Sequence, residues 1–111
     1  MFCVMIFLKI YPEFYKFAKK RIMPVISMFY GIIIRMFFFD DKKHHLPHIH
    51  VEYQGDVAVV SIETAEIIAG NISAKKFRLV QAWIEIHQEE LLADWKLASE
   101  GKDIFKIKPL E

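Results

Sequence analysis

HHLPHIHVEYQGDVAVVSI, residues 44–62, reads as a loop, a strand, a tight turn and a returning strand. A strand repeats every two residues, so His48, His50 and Glu52 point to one face and Ile49, Val51 and Tyr53 to the other. Gly55-Asp56 supplies the turn, and the apolar run Val57 to Ile62 makes the return. A hairpin of this kind predicts an antiparallel sheet, and the segments on either side extend it.

Upstream, FYGIIIRMFFF (residues 29–39) is β-branched and aromatic on both parities, which predicts one central strand covered on both faces. Arg35 is its only charge and is expected to snorkel to an edge or meet a carboxylate, with Glu52 the candidate. Residues 40–47 form a charged loop. Downstream, Glu63-Thr64-Ala65 turns the chain into a strand over Glu66 to Ala69; Gly70-Asn71 ends it, and Ser73 suits a helix N-cap. Ala74 to Glu100 is then predicted as one long amphipathic helix stopped by Gly101. Its core stripe is Phe77, Val80, Ile84, His87, Leu91, Trp95 and Ala98. Such a helix would run about 40 Å, so a break near His87 to Glu90 is a natural place to shorten it. Ile104, Phe105 and Ile107 suggest a last short strand. The expected architecture is α+β: a small antiparallel sheet of about four strands with one long C-terminal helix across one face.

The chain has 111 residues, of which 54% are hydrophobic, a length and composition that suit one globular domain. Its net charge of +1 hides a split: residues 1–22 carry +4, and residues 23–111 carry −3. The mildly acidic body has no general electrostatic footprint for nucleic acid. One cysteine, Cys3, excludes an intramolecular disulfide and suits a reducing compartment. No run reaches the roughly 18–20 apolar residues of a membrane helix, and Met1 to Leu8 lacks the flanks of a signal peptide. A cytoplasmic protein with no membrane association is expected. Residues 1–22 read as an N-terminal extension, explained by an upstream start with Met23 as the initiator or by a basic segment that touches a partner; residues 23–111 read as the single domain.

Two imidazoles two residues apart on a strand start roughly 6.6 Å apart and can converge on one metal. His48 and His50 with His45 from the loop are the candidate ligands, with His44, Asp40, Asp41 and Glu52 as other third donors and zinc the fitting ion. No other cofactor is expected. Without metal, His48 and His50 are acid–base candidates, Glu52 orients them, and Arg35 stabilises developing negative charge. That set suits phosphodiester cleavage, with nucleic acid as substrate. The bland alternative is a set of structural hydrogen bonds on a sheet. His87, inside the apolar stripe, reads as a core histidine bonded to backbone or to a loop carboxylate, in preference to a further ligand brought over the sheet. Lys75, Lys76 and Arg78 crowd the first helical turn, either as an anion site or as a solvated basic turn balanced by Glu85, Glu89, Glu90 and Asp94. A second stripe of Leu79, Trp83, Ile86 and Leu97 lies off the main core face and is a candidate partner interface.

Met23-Pro24-x-Ile26-Ser27-x-Phe29-x-Gly31-Ile32, the acidic loop, Pro47-His48-x-His50-Val51-x-Tyr53 and the run Trp83 to Trp95 together resemble the bacterial Domain of Unknown Function 4160 family. The resemblance covers residues 23 to about 109, and PHxHV is its most specific part. Leu46 stands where the family pattern usually has a second proline, and the loop from Asp40 to His45 is slightly longer. The resemblance implies a small bacterial protein with no established activity. Its relatives are often encoded beside a second small protein, in arrangements that look like toxin–antitoxin modules. A partner-binding component of such a module, paired with the neighbouring gene product or with itself, is therefore the expected function. A metal- or histidine-dependent hydrolase, of the nuclease kind, is the alternative.

Overall fold

The computed structural model describes residues 24–38 and 46–111. The N-terminal extension and the loop residues Asp40, Asp41, His44 and His45 lie outside the described residues.

Within them the chain is α+β. Five antiparallel strands follow one another in sequence order: β1 (Val25–Phe29), β2 (Ile32–Arg35), β3 (His48–Tyr53), β4 (Asp56–Ser61) and β5 (Ile67–Gly70). The single strand expected over residues 29–39 is instead the end of β1, a turn and β2. Tyr30 and Gly31 both take positive φ, 50° and 80°, the signature of a two-residue type I′ turn. Gln54 and Gly55, at 49° and 87°, make a second turn of this type, one residue earlier than expected. Its twist matches that of the strands, and it sets the register Tyr53 opposite Asp56, with His48 opposite Ser61.

The predicted long helix is two: α1 (Ala74–Ile86) and α2 (Gln88–Ser99). His87 at the joint leaves helical geometry, with φ −111° and ψ 25°. Beside it, the Gln88 side-chain amide donates to the carbonyls of Ile62 and Glu63, tying the start of α2 to the end of β4. Gly101 ends α2 as expected. Its N–H donates to Ala98 and that of Lys102 to Leu97, the paired bonds of a Schellman motif. Ser73 occupies the N-cap of α1 without a side-chain capping bond.

The strand expected around Ile104 to Ile107 is an irregular strap. Three bonds hold it: Phe105 N–H to Asp94, Ile107 N–H to the Ile26 carbonyl, and the Lys108 carbonyl to the Trp83 indole N–H.

One sheet face carries Ile32, Ile34, Ile49, Val51, Ala58 and Val60, packed with Val80, Trp83, Ile84 and Leu91 of the helices. On the opposite face His50, Val57 and Val59 are also fully buried, and Ile33, Arg35 and Glu52 are partly so. A sheet buried on both sides explains why β4 reads as a continuous apolar run and not as an alternation.

Gly70 is the tightest point. At φ 75° a Cβ there would stand 2.1 Å from the Val57 carbonyl oxygen, a backbone atom that cannot swing away. Gly101 also has positive φ but nothing within 4 Å. Gly70→Ala should therefore lower unfolding free energy by roughly 2–4 kcal/mol, against about 1 kcal/mol for Gly101→Ala. Equal denaturation midpoints for the two variants would overturn this view of the β4–β5 contact.

Candidate functional site

β3 is the middle strand, bonded on both sides, so the row His48, His50, Glu52 is held by neighbours across the sheet. His50 lies between Arg35 of β2 and Val59 of β4, and Glu52 between Ile33 and Val57. His48 is 1% exposed and His50 0%. The His50 ring stacks on Phe37 at 4.6 Å, with the planes 15° apart. The two imidazoles meet edge to face at 5.3 Å. His48 also packs on Trp95 of α2, centroids 4.9 Å apart. His48 Nδ1 is 2.7 Å from the Leu46 carbonyl oxygen, which can only accept, so Nδ1 carries the proton.

Arg35 Nε donates to Glu52 Oε2 at 2.8 Å, as their places on adjacent strands suggested. The two are diagonal neighbours, since Arg35 stands opposite His50. Both side chains are about four-fifths buried, which strengthens the pair relative to one in water. Among the described residues no hydrogen bond joins Glu52 to either histidine. Its carboxylate is committed to the guanidinium and does not orient an imidazole. Arg35, Glu52, His48 and His50 thus form a largely buried polar seam along the sheet. No group of three or more His, Cys, Asp or Glu among the described residues is placed to hold a metal, and His45 lies outside them.

The other candidates separate. Lys75 and Arg78 are exposed, while Lys76 lays its ammonium over the Tyr53 ring, 5.3 Å from the centroid. Trp83, expected on a partner-facing stripe, is fully buried in this chain's own core. Its ring lies against Phe29 and His87, and its N–H is bonded to the strap. Leu79 and Leu97 are half-buried, and only Ile86 stands largely exposed. Trp83 lies on the same helix as Val80 and Ile84 and is buried with them, so the core face of α1 is wider than the stripe of Phe77, Val80 and Ile84. His87 is half-buried and bonded through Nδ1 to Glu90 of α2, not to the backbone or a loop carboxylate as expected.

Asp94 is the residue that sequence reasoning placed wrongly. Counted among surface acids, it is 3% exposed and accepts the Phe105 N–H at 3.0 Å through Oδ1. Oδ2 is buried without a partner among the described residues. Burial raises its pKa above the ordinary carboxylate value; the Phe105 bond lowers it by less, and Glu90 raises it further. Its place on the Leu91–Trp95–Ala98 stripe was the available signal.

A family model described as Domain of unknown function (DUF4160) matches residues 31–96. The chain belongs to this family. The DUF4160 region runs from Gly31 of the first turn to Lys96 within α2, so β1 and the C-terminal strap flank it. No curated protein and no solved structure matches the chain.

Glu52→Gln should cost about 1–2 kcal/mol of unfolding free energy, since it weakens a charge-assisted bond at a mostly buried pair. Asp94 makes a pH-dependent prediction. Folding favours its protonated form, so the unfolded chain releases that proton first. The Asp94 contribution to stability therefore falls as pH rises from about 4 to the raised folded value, and stays low above it. Asp94→Asn should remove this slope and unfold at higher denaturant than wild type at neutral pH. A variant less stable than wild type at both pH 4 and pH 7 would contradict the assignment.

Proposed function

We propose that this DUF4160 protein is a partner-binding protein, one component of a two-gene, toxin–antitoxin-like module. The observation that carries the reading is an inversion of what an enzyme needs. The polar histidine pair lies inside at 1% and 0% exposure, while large apolar side chains lie outside, among them Ile86 at 64% and Phe105 at 71%. A substrate must reach the imidazoles of a histidine-dependent hydrolase, and His48 and His50 present no surface to one. Exposed apolar groups on rigid elements are what a protein interface buries. No helix among the described residues is long and apolar enough to cross a membrane, which fits a partner in the same aqueous phase.

The test is co-expression with the product of the neighbouring gene, followed by size-exclusion chromatography with light scattering. A stoichiometric complex is expected. Ile86→Glu should weaken it by about tenfold in Kd while leaving the thermal midpoint within a few degrees. Failure to form any complex, together with cleavage of RNA or DNA that His50→Ala abolishes in a folded variant, would replace this reading with the hydrolase.

A further inference from the structure

β1 is an outer strand, and one of its rows of backbone groups faces away from the sheet. Phe29 and Ile32 flank the two-residue turn and exchange both hydrogen bonds, so Met28 and Ile33 form the next, non-bonded pair. Met28 N–H and C=O therefore point outward. Among the described residues nothing bonds them, and the Met28 side chain is 60% exposed. Two residues earlier the Ile26 carbonyl, on the same outer row, already accepts a bond from the extended strap at Ile107. Strap and strand then diverge. A cleft of about 370 Å³ opens between them, lined by Val25–Met28 on one side and Lys106–Pro109 on the other. Ser27, whose buried Oγ has no partner among the described residues, is part of its wall.

We propose that this cleft binds an extended acidic segment of a protein partner, which adds alongside β1 as a sixth strand. The inference rests on the partner-binding reading and names where and what that partner presents. The outward N–H and C=O of Met28 ask for an extended backbone, because a strand offers donors and acceptors at the spacing of the outer row. The sign of the charge comes from the rim. Lys106 and Lys108 are both exposed there, and the Lys108 ammonium makes an open contact with Glu111 at 3.8 Å. A second copy of this chain fits less well: pairing two β1 edges about a two-fold axis would bring both lysine pairs to one interface, like charges opposing each other.

The probe is a short acetylated peptide alternating glutamate and valine, titrated into isotopically labelled full-length protein and followed by amide chemical shifts. Saturable shifts at Met28, Lys106 and Ile107 are expected. Met28→Pro, which removes the outward N–H from an edge strand, should weaken binding by about tenfold, the loss of one well-made hydrogen bond. Lys106→Glu with Lys108→Glu should weaken it in the same sense and leave folding unchanged, which guards against a proline variant that simply unfolds. No shift at β1, equal binding of the matching lysine–valine peptide, or a peptide-independent dimer through β1 would each overturn the proposal. Co-purification of the neighbouring gene product is scored separately. If it binds equally to wild type and to the lysine double variant, the partner reading stands and this site falls.

Discussion

Burial of the sheet on both faces is the constraint that gives every polar residue on it its meaning. On an open face, His48, His50, Glu52 and Arg35 would meet water and could meet substrate. On a covered face each must find its partners within the chain, because a buried polar group without one costs on the order of 1–3 kcal/mol. Arg35 and Glu52 neutralise each other, His48 bonds the Leu46 carbonyl, and both imidazoles lie against aromatic rings. The row that looks most like a catalytic motif in the sequence is in this fold a polar seam within a packed interior.

The helices and the strap are joined through a few side chains that reach across elements. Trp83 touches Phe29 of β1 and His87 at the helix joint, and its N–H holds Lys108 of the strap. Asp94 anchors the strap's other end at Phe105, accepting the cost of a desolvated carboxylate to do so. Together they lay the strap beside β1, so the chain's C-terminal segment shapes that edge of the sheet. Both β1 and the strap flank the DUF4160 match, so the outward N–H and C=O of Met28 lie outside the matched region.

Much of the fold was legible residue by residue. The alternation in β3, the glycine at its turn, the β4 run and the Gly101 stop are local signals, each set by backbone geometry within a few residues. Tyr30-Gly31 was equally local but was masked by apolar residues on both sides, which read as one strand. The helix joint at His87 falls within the stretch where helix length alone suggested a break, although no glycine or proline announces it. What the sequence could not supply is its tertiary contact: Gln88 meets the carbonyls of Ile62 and Glu63, residues about 25 positions away.

By itself, then, the sequence determined the α+β class, the pairing of Arg35 with Glu52 and the family, because period-two alternation, turn glycines and a distinctive PHxHV segment are properties of short stretches. Only the tertiary structure decided that the histidines are interior, that Trp83 belongs to the core, that Asp94 is buried, and that β1 keeps an outward edge. Those facts depend on what lies on the far side of each element, and no local pattern records that.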